Sequence, residues 1–313
     1  MTAIKRTLVA GIASLSLATG LAGCAQYKTT PTPVASTQVP ASEVGMGVPA
    51  LWKVADEDTT IYIFGTVHTL PDDVDWYSGV VKTALDSSDT LVTEIDMTPA
   101  AMAQMPAIVQ STAILPEGTT VRSLMDQEER EAYEGALAKL NVPVNAFDQL
   151  EPWFAALTIS QIAYQKAGFK EENGTENDLE SIIGDTKGRD ALETVEFQLS
   201  IFDELPQDAQ VDYLVETAQE VDNLGSMLTE LVDEWAVGDV ENLGNLLNEA
   251  LESDPVLAER LLYGRNANWA AWIDNRLDQP GTIFMAVGAG HLAGKKSVQE
   301  YLAGRGIQIT RIR

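Results

Sequence analysis

The chain has 313 residues, 47 acidic and 20 basic, with a formal net charge of −27 at neutral pH. A surface of that sign argues against nucleic acid or anionic lipid headgroups as partners. A single cysteine rules out an internal disulfide framework.

Lys5 and Arg6 precede an uncharged apolar stretch from Leu8 to Leu21, which closes on Leu21-Ala22-Gly23-Cys24. This order marks residues 1–23 as a secretory leader, too short and wrongly flanked for a stable membrane span. The Leu-Ala-Gly-Cys end resembles the bacterial lipobox, which implies that Cys24 is acylated and becomes the first residue of an exported lipoprotein. An odd cysteine in an exported chain fits that role. By the same resemblance, Ala25 after the anchor directs the protein to the outer membrane, with its body in the periplasm or at the cell surface. Residues 24–49 carry Pro31, Pro33, Pro40 and Pro49 among Thr, Ser and Ala, and read as a flexible tether. Fully extended, at about 3.3 Å per residue, it would reach roughly 80 Å.

The body spans 50–313. Leu51-Trp52-Lys53-Val54 and Thr60-Ile61-Tyr62-Ile63-Phe64 are β-rich runs around the polar turn Asp56-Glu57-Asp58, a hairpin pattern. Val80, Val81, Ala84 and Leu85 keep helical spacing up to Asp86-Ser87-Ser88-Asp89, and Thr90 to Ile95 follow as a buried strand. Strand, helix and strand at this spacing predict a parallel crossover to a neighbouring strand. The region 99–279 is helical in pattern, with amphipathic stretches at Glu128–Leu140, Pro152–Ala167, Asp208–Trp235 and Asn266–Leu277. At the end, Thr282 to Val287 is an apolar strand, Ser297 to Ala303 a helix, and Ile307 to Ile312 a closing strand. The predicted fold class is α/β (α+β): a mixed sheet built from both chain ends, with a large helical insert over 99–279.

The two histidines share a frame, Gly65-Thr66-Val67-His68 and Gly288-Ala289-Gly290-His291, each directly after an apolar strand. Glycine is 23 of 313 residues, so chance would place it three positions before both in (23/313)², roughly 0.5% of cases. Ligands of open α/β sheets gather at the carboxyl ends of strands, where glycine permits tight turns and close approach. Two imidazoles delivered there are candidate metal ligands or an acid/base pair. Glu94 ends the Leu-Val-Thr-Glu strand at the same edge. Two histidines and a carboxylate form a catalytic zinc set with a position open to water. Asp96 is the substitute for Glu94, although Met97-Thr98-Pro99 shows the chain leaving the strand there.

At these residues the sequence resembles the TraB/GumN family, which includes the TIKI proteins. The resemblance covers about 50 to 313. It rests on the Gly-Thr-Val-His68 start, the Leu-Val-Thr-Glu94 strand and Val-Gly-Ala-Gly-His291-Leu. Leu115-Pro116-Glu117-Gly118, Leu192-Glu193-Thr194, Trp235-Ala236-Val237-Gly238-Asp239 and Arg265-Asn266 support it. It implies a fold like that of TIKI and erythromycin-esterase-type proteins, and a divalent-metal-dependent protease using Mn, Co or Zn. Carried over by position, His68, Glu94 and His291 are the core set. Arg265 is then an oxyanion-stabilising or substrate-anchoring cation, or else a helix-start arginine in a salt bridge, and Asn266 a hydrogen-bond partner. Glu193 reads as a helix-capping or packing residue, and Trp269 and Trp272 as helix core.

No Gly-x-Ser-x-Gly elbow, phosphate-cradling loop with lysine or His-Glu-x-x-His helix occurs. The expected function is a membrane-tethered, metal-dependent hydrolase of envelope peptides or proteins. The alternative is a non-catalytic lipoprotein that binds a peptide or envelope component. Either way the histidines are expected in a surface cleft, where substitution leaves stability nearly unchanged.

Overall fold

The computed structural model describes residues 48–248, 251 and 255–313; the expected leader, Cys24 and nearly all of the tether lie outside them. Strands β1 (Leu51–Ala55) and β2 (Thr59–Thr66) pair antiparallel from Leu51↔Phe64 to Ala55↔Thr60. The Asp56 carboxylate closes their turn by accepting from the N–H groups of Asp58 and Thr59 at 3.1 and 2.8 Å. Helix α1 (Gly79–Asp86) leads to β3 (Thr90–Thr93), as the spacing predicted. Strands β4 (Gly188–Ala191), β5 (Gly281–Gly288) and β6 (Ile309–Arg311) complete a sheet of order β4-β3-β5-β2-β1-β6. β2, β5, β3 and β4 run parallel, while β1 runs against them and pairs antiparallel with both β2 and the edge strand β6. The mixed sheet does draw on both chain ends.

The crossover from β2 does not land on its neighbour. β5, from the far end of the chain, sits between β2 and β3 with registers Thr66↔Gly288 and Thr93↔Ala286. Its residues 283–288 are all buried, which suits a central parallel strand covered on both faces. Side chains alternate accordingly. Phe284 and Ala286 join Phe64 and Leu91 against the helical insert, whereas Ile283, Met285 and Val287 join Ile61, Ile63 and Val92 on the opposite face. That second face is covered by Trp269 and Ile273 of a late helix and by Val298 and Leu302 near the C-terminus.

The insert is not wholly helical. Gly188-Arg189-Asp190-Ala191 has no apolar run, yet it forms β4 by pairing with β3 as an edge strand, where polar side chains are tolerated. The helices that matter below are α2 (Gln127–Leu140), α3 (Pro152–Lys166), α4 (Thr175–Ile183), α5 (Val195–Asp203), α6 (Gln207–Gln219), α7 (Leu224–Val237), α8 (Val240–Leu247), α9 (Gly264–Leu277) and α10 (Val298–Gly304). The single helix expected over Asp208–Trp235 is two, α6 and α7. Asp222 and Asn223, both weak helix formers, lie at the break, and both helices then pack on α3. A π-helical turn, Glu259–Tyr263, runs directly into α9. Such turns cluster at functional sites because the wider ring re-aims nearby side chains.

Candidate functional site

The carboxyl ends of β2, β5 and β3 lie side by side, so the loops carrying His68, His291 and Glu94 leave from one sheet edge. His68 follows β2 by two residues. Its loop is gripped by the start of α4: Thr175 N–H donates to the Val67 carbonyl and Val67 N–H to the Thr175 hydroxyl, both at 3.0 Å. The next residue, Glu176, meets His68 Nδ1 with Oε1 at 2.6 Å, the two side chains being 11% and 7% exposed. Burial opposes charge on this imidazole, but the Glu176 carboxylate, together with the charges of Glu94 and Glu171, outweighs it and holds the His68 pKa above its ordinary 6.5. Burial likewise opposes charge on Glu176, and His68 with the Thr66 hydroxyl brings its pKa below the usual 4.5.

Gly174 makes this grip possible. A Cβ there would collide with the carbonyl of His68. Gly174→Ala is therefore expected to destabilise the fold by about 1–3 kcal/mol, the usual cost of overpacking. An unchanged denaturation midpoint would show that the loop and α4 are not tightly coupled.

Glu94, one residue past β3, is buried. Its Oε1 accepts from Gly288 N–H at 2.6 Å, and its Oε2 from Gln198 Nε2 at 2.9 Å and Arg265 Nη2 at 2.6 Å. Chain pairing continues beyond the β3–β4 ladder, with Glu193 N–H donating to the Glu94 carbonyl at 2.8 Å, so the two acids lie next to each other. Glu193 does not cap α5. Thr194 does, accepting from Phe197 N–H, while Glu193 receives Arg265, Trp269 Nε1 at 2.9 Å and Gln198 at 3.0 Å. Among the described residues, both carboxylates accept only from N–H donors. Burial nonetheless pushes the Glu94 pKa up, with the Arg265 charge acting in the opposite direction.

Arg265, in the first turn of α9, is 1% exposed. A guanidinium has five N–H groups. Here Nε donates to Glu193, Nη2 to Glu94 and Glu193, and Nη1 to the Leu261 carbonyl at 3.1 Å, within the π-helical turn, and to His291 Nε2 at 3.0 Å. Arg265 is thus the salt-bridging arginine, committed on every side, and it has no donor left to anchor a substrate.

His291 is fully buried, its ring 4.2 Å from that of Trp269. Arginine can only donate, so Nε2 accepts and the ring proton resides on Nδ1, which donates to Asn266 Oδ1 at 2.5 Å. Asn266 in turn donates to the Lys296 carbonyl at 2.8 Å. Burial, then the Arg265 and His68 charges, hold the His291 pKa well below 6.5, so this imidazole is neutral. Asn248 clamps the same loop by donating to the Gly290 and Ala293 carbonyls at 3.1 and 2.6 Å. Of the motif glycines, Gly288 supplies an N–H to Glu94, and a Cβ on Gly65 would press on Ala289 at 3.1 Å. The expected surface cleft is therefore wrong for His291, which belongs to the interior.

Asp96 does not stand in for Glu94. It is exposed, accepts from Thr98 N–H, and lines a cavity of about 360 Å³ with Gln104, Ile108 and Glu193. Trp272 is partly buried core, while Trp269 is both core and a donor to Glu193. Glu176, Gln198 and Asn248 were not anticipated. Only Glu176 left a trace in the sequence, as the acid following a Gly-Thr pair at a helix start.

The donor types of the expected metal set are present, but their arrangement does not fit a shared ion. Both ring nitrogens of His291 and both oxygens of Glu94 are engaged, and the Arg265 guanidinium bridges them. Among the described residues, no three His, Cys, Asp or Glu side chains are grouped to hold one.

Among comparisons with known proteins, the model of the TraB/PrgY/gumN family matches residues 50–311. No curated protein and no solved structure matches.

Proposed function

The chain belongs to the TraB/PrgY/gumN family, and from that premise we propose that it is a hydrolase of peptide or amide bonds in the cell envelope, with His68 as its general base. The observation that supports this reading is the 2.6 Å contact between His68 Nδ1 and Glu176 at the strand-end loops. A carboxylate on Nδ1 orients the ring, fixes the tautomer and stabilises the imidazolium formed when Nε2 takes a proton from water. The Glu94–Arg265–His291 assembly stands at the same sheet edge, where the Glu94 charge acts on that base. The test is hydrolysis of a peptide library by the detergent-solubilised chain, with chelator and with added Mn²⁺, Co²⁺ or Zn²⁺. No turnover under any of these conditions would remove the hydrolase reading.

A second reading, a non-catalytic lipoprotein that captures a peptide or envelope component, is favoured by the burial of Glu94, Arg265 and His291 with their polar atoms mutually satisfied. Stoichiometric peptide retention without cleavage would select it.

No helix among the described residues is long and apolar enough to cross a membrane. The proposed route to the membrane is acylation of Cys24 after export, with sorting to the outer membrane. Cys24→Ser is expected to abolish incorporation of a labelled fatty acid. Equal labelling of parent and variant would refute the anchor.

A further inference from the structure

We propose that Arg265 is the resident cation of this centre, taking the place that a divalent ion would otherwise fill between Glu94 and His291. The inference concerns the same residues as the hydrolase reading, but it is read by metal binding and does not depend on turnover.

The argument begins with charge. Glu94 is buried and Glu193 beside it is part-buried, its side chain 7% exposed, and among the described residues both accept only from N–H donors. Two adjacent carboxylates so largely withdrawn from solvent require a counter-cation close by. Arg265 supplies it in a form that a metal could not reproduce: one planar fork reaching both acids, a main-chain carbonyl and a neutral imidazole. The π-helical turn belongs to this arrangement, because it delivers the Leu261 carbonyl to Nη1. Trp269 adds its ring face at 4.9 Å from the guanidinium and its N–H to Glu193.

An ion bound by His291 Nε2 and Glu94 Oε2 would need both atoms at about 2 Å. Nη1 and Nη2 of Arg265 already address those two lone pairs at 3.0 and 2.6 Å. Keeping the arginine and adding the metal would place like charges a few ångströms apart among the buried side chains of Glu94, Arg265 and His291. One cation or the other can occupy the position.

The experiment uses the full-length, detergent-solubilised protein after chelator treatment. Equilibrium dialysis and thermal melting are followed with Mn²⁺, Co²⁺ and Zn²⁺ in turn, on the parent, His291→Ala and Arg265→Ala. The acidic surface will hold some ions loosely, so the decisive quantity is binding that depends on His291. The parent is expected to show none, with a melting temperature shifted by less than about 1 °C, whereas a specific ion at a hundred times its Kd would raise it by several degrees. Arg265→Ala is expected to take up one ion and to recover several degrees of its lost melting temperature, an effect that an ordinary lost salt bridge would not show. One ion per parent chain, lost in His291→Ala, would overturn the proposal, and so would a folded Arg265→Ala that binds none. If Arg265→Ala does not fold, the parent and His291→Ala still decide.

Discussion

Arg265→Met is expected to destabilise the protein by about 3–5 kcal/mol, the cost of removing one partner from a buried ion pair. The methionine fills much of the space, but Glu94 and Glu193 lose their shared cation and retain only the neutral donors Gln198, Trp269 and the Gly288 N–H. His291 Nε2 loses its donor as well. The pH dependence of the deficit identifies its cause. Burial already raises the folded pKa of Glu94 in the parent, and loss of the opposing Arg265 charge raises it further. The variant then holds the Glu94 proton to higher pH than the parent does, so the charge penalty is full above the variant's raised pKa and is lost as pH falls through it towards the parent's folded value. Urea unfolding of parent and variant at several pH values measures this. A deficit that does not shrink on acidification would mean that packing, and not charge, is what Arg265 contributes.

The second large effect is on rate. His68→Ala is expected to lower turnover by roughly 10²–10⁴-fold, the usual contribution of a positioned general base. Glu176→Gln should lose a smaller part and also move the pH profile. A base acts when deprotonated, so the parent's acidic limb should lie above 6.5, where Glu176 holds the His68 pKa. Replacing the carboxylate with an amide lowers that pKa and shifts the limb towards acid.

The same pair has a stability signature. The contribution from His68, whose folded pKa is raised, is complete below its unfolded value of about 6.5 and is lost as pH rises through the folded one. The contribution from Glu176, whose folded pKa is lowered, is complete above about 4.3 and is lost as pH falls through its folded value. Together they stabilise most between about 4.3 and 6.5. Melting curves of Glu176→Gln against the parent should differ most in that window. An unmoved acidic limb would remove His68 from the role of base.

Sequence by itself determined the parts whose signals are local. The hairpin of Leu51–Ala55 and Thr59–Thr66, the helix before β3 and the apolar strand from Gly281 to Gly288 were legible because a few adjacent side chains establish their period and their turns. The paired Gly-x-x-His frames were legible for the same reason, and with Glu94 they pointed to one sheet edge, from which all three loops leave. Tertiary structure alone decided what that edge contains. β5 takes the place between β2 and β3 because its fully apolar run needs cover on both faces, and the polar Gly188–Ala191 becomes a strand only because β3 has an unpaired side. Glu176 reaches His68 through a helix more than a hundred positions away, and Gln198 reaches Glu94 in the same manner. The commitment of Arg265 is the clearest case. Its five N–H groups are satisfied by residues 94, 193, 261 and 291, a set that no local pattern encodes. Whether an arginine anchors a substrate or serves as an internal cation depends on which acceptors surround it, and only the folded chain brings those acceptors together.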